Sequence, residues 1–228
     1  MRKTKRKQDE IEKIYIPSQL SSCVAESESG GEYDPLAPFV ARMFNDIIEK
    51  GDREIVVVCF GTNAISGDSL GPSVGTLLTT KYNVPAFVYG TDEAQINGKN
   101  MQEWLAFIKS VHQNALFVAV DASLGSKDKV GQIVLRDDGV CPSGVTGKSE
   151  RFGDIGVLGI VARNQGDPLM QLMTVSPVYV DNLANEIAIM LKAALASMSV
   201  RTQIFAIFPP FFKRVRGTTE LFLFLYCI

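Results

Sequence analysis

Four segments of this 228-residue chain set carboxylates beside apolar runs. The stretch "FGTNAISGDSLGPSVG", Phe60 to Gly75, follows "IVVVC" and carries one acid, Asp68, among glycines and small residues. "YGTDEA" holds Asp92 and Glu93, "ALFVAVD" ends on Asp121, and "RFGDIGVLG" sets Asp154 just before another apolar run. Carboxylates held close together cannot all ionise freely, so one can keep a proton and act as general acid while another activates water. The same groups can instead hold a hard or borderline divalent ion that polarises a carbonyl. Either chemistry suits hydrolysis of an amide. Glycines around Asp68 would let backbone approach a substrate closely. Against this, a single loop aspartate more often caps or closes a turn by accepting nearby backbone N–H groups. Asp121 is harder to explain that way, because it borders a buried core. Asp137 and Asp138 in "RDDGV" read as an ordinary hairpin or surface turn.

The acids can meet only if the elements that carry them line up. "EIVVVCF" (54–60), "VPAFVYG" (84–90) and "ALFVAVD" (115–121) are nearly continuous apolar runs, as expected of strands buried on both faces. "PSVGTLLTTKY" begins with Pro72, well suited to a first helical position. "NMQEWLAFIKSVHQ" puts Met101, Leu105, Ile108 and His112 close to one side of a helix. "VGQIVL" (130–135) reads as a further strand, and "IGVLGIVA" (155–162) is apolar without a clear period. In "SPVYVDNLANEIAIMLKAALASM" Leu183, Ile187, Leu191 and Ala194 are in helical phase, and the phase breaks after Met198. "LAPFVARMFNDIIEKGD" adds an amphipathic helix before the first strand, with Leu36, Phe39, Val40, Met43 and Ile47 on one face. Strand–helix alternation over 36–198 predicts a three-layer α/β/α sandwich with a mainly parallel sheet. In such a sheet ligands bind beyond the carboxyl ends of the strands, and there the loop acids should gather.

Composition narrows the function classes. With 46% apolar and 21% charged residues the chain has the balance of a soluble globular protein. A net charge of −2 gives no general attraction to nucleic acid or to an anionic membrane. Cys23, Cys59, Cys141 and Cys227 lie far apart, which argues against a disulfide framework or a cysteine-rich zinc site and fits a reducing cytosol. The start, "MRKTKRKQDEIEK", lacks the apolar core of a secretory signal. We divide the chain into a basic tail and polar linker (1–33), an α/β domain (34–199) and an atypical apolar tail (200–228). "LFLFLYCI" in that tail is far shorter than the roughly 20 apolar residues a membrane span needs. Three tempting motifs fail. "CPSGVTGKS" has Pro142 where a phosphate-binding loop needs its first glycine. "DASLG" has Asp121 at the first glycine of a nucleophile elbow. The lone histidine, His112, has core-like spacing, which speaks against a Ser-His-Asp triad or a two-histidine zinc site.

Taken in order, "FGTNAISGDSLGPSVG", "VYGTDEA", "VAVDASLGS" and "GDIGVLGIV" resemble the YyaC-type sporulation proteins, from about Glu54 to Leu195. That family is similar to the germination protease of bacterial spores and, more distantly, to the hydrogenase maturation endopeptidases. The likeness implies their shared three-layer α/β sandwich. Likeness to the germination protease implies a catalytic pair at Asp68 of "SGDSLGP" and Asp121 of "VDASLG". Likeness to the maturation enzymes implies metal ligands at the same two positions, with Asp154 standing where those enzymes have a histidine. The expectation is therefore a sporulation-associated, peptidase-like hydrolase with Asp68, Asp121 and Asp154 as site residues, a divalent metal ion being a candidate at the same three. The expected partner is a protein or peptide substrate, in the cytoplasm or forespore of a bacterium, with no nucleic acid, no membrane span and the oligomeric state left open. Two alternatives stand beside it: a non-catalytic binding or regulatory protein on the same fold, and a hydrolase of small substrates.

Overall fold

Val56, Val58 and Phe60 pack into one buried cluster and Val57 and Cys59 into another, on opposite faces of a sheet. That alternation is why the run is apolar throughout: both faces of its strand are covered. The computed structural model describes residues 13–15, 53–142 and 151–207, with the backbone alone at 13–15 and 197–207. Its strands are β1 (Lys13–Tyr15), β2 (Ile55–Cys59), β3 (Phe87–Tyr89), β4 (Leu116–Gly125), β5 (Ile133–Arg136) and β6 (Ile155–Arg163). They form one sheet in the order β1-β5-β6-β4-β2-β3. Strands β3, β2, β4 and β6 run parallel, β5 returns antiparallel to β6, and β1 pairs antiparallel with β5.

Helix α1 (Leu70–Thr76), entered through a 3₁₀ turn at Ser66–Ser69 and prolonged by a π turn at Leu77–Lys81, lies on one face. The long helix α4 (Pro177–Ile207) lies beside it, after the short α3 (Pro168–Met173). Leu70 and Val74 of α1 and Leu78 of the π turn meet Leu183, Ile187 and Leu191 of α4 in one core. Helix α2 (Met101–Val111) covers the other face with Met101 and Ile108, supported by Trp104 and Leu105. The result is the three-layer α/β/α sandwich with a mainly parallel sheet. Among the described residues no helix is long and apolar enough to cross a membrane.

Several boundaries differ from the sequence reading, each for a physical reason. The run at 84–90 yields only three strand residues, with Phe87 52% exposed, because β3 is the sheet edge and has one covered flank. The ambiguous run at 155–162 is a strand, β6, fixed by parallel pairing to β4. Strand β4 runs on past Asp121 to Gly125 because β6 continues to pair with it there. Lys13–Tyr15, assigned to the N-terminal tail, adds an edge strand beyond β5. The last helix keeps its helical backbone through Ile207, beyond the break in apolar phase at Met198; propagation of a helix needs one hydrogen bond per residue, not an unbroken apolar stripe. The amphipathic pattern at 36–51, most of "CPSGVTGKS" and residues 208–228 lie outside the described residues.

The glycines of the turn serve the fold. A Cβ on Gly71 would lie 2.0 Å from the Phe60 carbonyl oxygen, and one on Gly75 would lie 2.1 Å from the Gly90 carbonyl oxygen. These residues let α1 seat directly on the ends of β2 and β3. They do not open a path for substrate, as the sequence alone suggested. Gly71→Ala should therefore push α1 off the sheet and destabilise the protein by about 2 kcal/mol, read as a lowered denaturation midpoint. An unchanged midpoint would mean that the helix does not sit so close.

Candidate functional site

Pairing between β2 and β4 ends at Cys59 and Val120, whereas β4 continues beside β6 to Gly125 and Arg163. Asp121 is thus the first residue of β4 beyond the reach of β2. The winding also reverses here: β3 lies on one side of β2 and is reached through α1, and β4 lies on the other and is reached through α2 on the opposite face. A crevice at the carboxyl ends of the strands is expected at such a switch point. From β2 the chain turns at Gly61, whose φ of +137° excludes most side chains. The Gly61 amide donates to the Ile96 carbonyl and the Thr62 amide to the Asp68 carbonyl, at 2.8 and 3.1 Å. The following 3₁₀ turn brings the Asp68 carboxyl to the same cleft as Asp121, a space of about 200 Å³ walled also by Ile96, Asn97, Cys141 and Leu172.

Both carboxyls are shifted upward. Burial pushes Asp68 up to about 6, with the Thr62 backbone amide partly opposing the rise. Asp121 is held well above the ordinary carboxyl range, chiefly by burial, then by the charge of Asp68, while the Ala122 amide pulls the other way. Of the two, Asp121 is the one whose surroundings favour the protonated carboxyl, and Asp68 the one that ionises more readily. That is the division of labour an acid–base pair needs.

The model of the family described as "Protein of unknown function (DUF1256)" matches residues 32–190. The chain belongs to this family. The uncharacterised protein YyaC of Bacillus subtilis (strain 168) is 38% identical over 110 residues, 48% of this chain and 54% of the relative, so the match spans about half of that protein's length. A solved NiFe hydrogenase maturation protease, HycI from Thermococcus kodakarensis KOD1, is similar with a TM-score of 0.43 and 17% identity, over 68% of this chain and 99% of that one. In this DUF1256 protein the family match contains both cleft aspartates and strands β2 to β6.

Asp154 is not brought to the pair. It precedes β6, which runs parallel to β4, so it lies at the entry of the strands, while Asp121 lies further along β4, paired with Leu158 and just past the end of β2. Its carboxylate accepts from the Phe117 amide at 2.9 Å and from Arg53 at 3.4 Å, and its own amide donates to the Phe117 carbonyl at 2.8 Å. Phe117 is four residues before Asp121, about 13 Å along a strand. Arg53 is in turn bonded to the Asn114 and Ala115 carbonyls, which makes Asp154 part of a bracket at the amino ends of β2, β4 and β6. Among the described residues no three His, Cys, Asp or Glu side chains form a metal-binding group, so the three-aspartate metal site is not assembled.

The remaining acids divide similarly. Asp92 lies on the same sheet edge but lines a separate open depression with Ser66, Ser69, Ser73 and Asp181. Asp138 accepts from Arg136 and Arg151 at 3.1 and 2.8 Å, closing the turn after β5. The 121–125 stretch is extended strand, with no elbow at Ser123. His112 is buried as expected, but it ends α2 instead of lying within it, and its Nδ1 and Nε2 pair with Glu54 and the Tyr89 hydroxyl at 2.9 and 2.8 Å. Asn97 lines the cleft without having drawn notice in the sequence, and Cys141, noted there only as one of four scattered cysteines, lines it too. Neither ends an apolar run, and "ING" marks only a turn.

Proposed function

We propose that this DUF1256 protein is a peptide hydrolase that uses Asp121 as general acid and Asp68 as general base. The observation that carries the reading is one shared cleft at the strand ends holding two carboxyls with unequal, raised proton affinities. The Asp68 carboxylate takes a proton from water as the water oxygen attacks the scissile carbonyl carbon. The carbonyl π pair moves onto oxygen, which takes the Asp121 proton, giving a neutral gem-diol. In breakdown Asp68 returns its proton to the amide nitrogen and the C–N bond breaks. One gem-diol hydroxyl passes its proton to Asp121, which restores both acids and leaves a carboxylic acid and an amine. No step needs a metal ion.

Resemblance to the germination protease supports a protein or peptide substrate and a role in sporulation, in the bacterial cytoplasm or forespore. A cleft of about 200 Å³ suits a chain terminus or an unfolded segment. The test is incubation of the full-length protein with a peptide mixture from a denatured spore proteome at pH 5–7, followed by mass-spectrometric mapping of new termini. Reproducible new termini are expected. Their absence over that pH range would favour a binding protein that kept the fold without the chemistry.

A further inference from the structure

A gem-diol pathway places negative charge on the carbonyl oxygen before proton transfer is complete, and preorganised donors aimed at that charge are among the largest contributors to catalysis. Among the described residues the cleft is lined by no lysine, arginine or histidine. Apart from the acid pair, the side-chain donors among the described lining residues are Asn97, Ser123 and Cys141. A thiol is a weak donor. The Ser123 hydroxyl rotates freely and has an acceptor of its own in the Leu124 carbonyl, at 3.4 Å.

Asn97 differs because its geometry is fixed. Its side-chain oxygen accepts from the Lys99 amide at 3.0 Å, which settles which end of the carboxamide is oxygen. Its own amide donates to the Asn100 side-chain oxygen at 2.9 Å, and Asn100 donates in turn to the Gln95 carbonyl at 2.9 Å. Its carbonyl accepts from the Asn100 and Met101 amides at 3.1 and 2.9 Å, at the start of α2. These bonds engage every polar group of the residue except the side-chain NH₂. Beside it, a Cβ on Gly98 would meet nothing within 4 Å, so the approach is open.

We propose that Asn97 is a catalytic residue whose Nδ2–H donates to the scissile carbonyl oxygen. The oxygen has two lone pairs, so it receives this bond and the Asp121 hydroxyl together. The bond orients the carbonyl and strengthens as charge moves onto oxygen. This role rests on the hydrolase reading above.

The test uses one peptide that the wild type cleaves, with kcat, KM and Tm measured for Asn97→Ser and Asn97→Asp. Both variants keep an oxygen for the Lys99 amide and remove the NH₂; the aspartate covers the case in which serine fails to hold the turn. The expected result is a kcat lower by about 100-fold, with KM within a few-fold and Tm within about 2 °C of wild type. An unchanged kcat in a folded variant overturns the role of Asn97 and leaves the hydrolase intact. So does a loss that appears in Ser123→Ala in place of the Asn97 variants. A wild type that cleaves no peptide at all removes the hydrolase reading and this role with it.

Discussion

Asp68→Asn and Asp121→Asn should each lose peptide hydrolysis by about a thousandfold or more while melting no lower than wild type at pH 7. The two halves of that expectation separate a reaction site from architecture. Asparagine keeps the size of either side chain and removes its ability to move a proton. At both positions it also removes a charge that burial disfavours. Stability should therefore hold or rise, the trade-off typical of functional positions. Asp167 provides the contrast within the same chain. It caps α3 by accepting from the Leu169 and Met170 amides at 2.8 and 3.2 Å, and removing such a cap typically destabilises by about 1 kcal/mol. If the two cleft variants behave like a broken cap, with a clearly lower Tm and activity falling only as the fold is lost, Asp68 and Asp121 are structural and the proposed reaction fails. Retained hydrolysis in either variant would also overturn it.

Much of this arrangement was legible because buried parallel strands leave unbroken apolar runs. Val56–Cys59 and Leu116–Val120 are visible for that reason, and so are the acids that follow them. What a run does not reveal is its register or the side from which an acid faces it. Asp154 precedes its strand and Asp121 sits within one, a difference that separates them along the strands once β4 and β6 are known to be parallel. The partners of His112, Glu54 and Tyr89, come from the chain around two other strands, beyond the reach of helical periodicity. The purpose of Gly71 depended on how closely α1 approaches Phe60, a distance that no local pattern encodes. Asn97 was hidden for a related reason: its importance lies in which of its bonds are already made.

The same pair should make stability fall as pH rises. Asp68 has an ordinary value of 3.8 when unfolded and about 6 when folded, so between those values the folded state binds more protons than the unfolded chain. Unfolding free energy decreases with pH wherever that holds. Below 3.8 both states are protonated and Asp68 makes no difference; above about 6 both are ionised and its full penalty, on the order of 2–3 kcal/mol, is present. Asp121 is shifted in the same direction and carries the decline to higher pH. Asp138 acts oppositely, since Arg136 and Arg151 hold it low and its contribution is lost only as pH falls through the acid range. Maximum Tm is therefore expected near pH 4–5, with a clear decline by pH 8. In Asp68→Asn/Asp121→Asn most of the decline should disappear over this window, leaving the part due to Glu186, which burial also raises, while the acid limb remains. A wild-type optimum at pH 7 that the double variant leaves in place would mean that the two carboxyls do not share a site. If the decline is present and largely abolished, the proton held in the cleft at neutral pH is the one that the reaction would deliver to the carbonyl oxygen. The fold would then be less stable at neutral pH because that proton and its neighbouring charge are kept ready for catalysis.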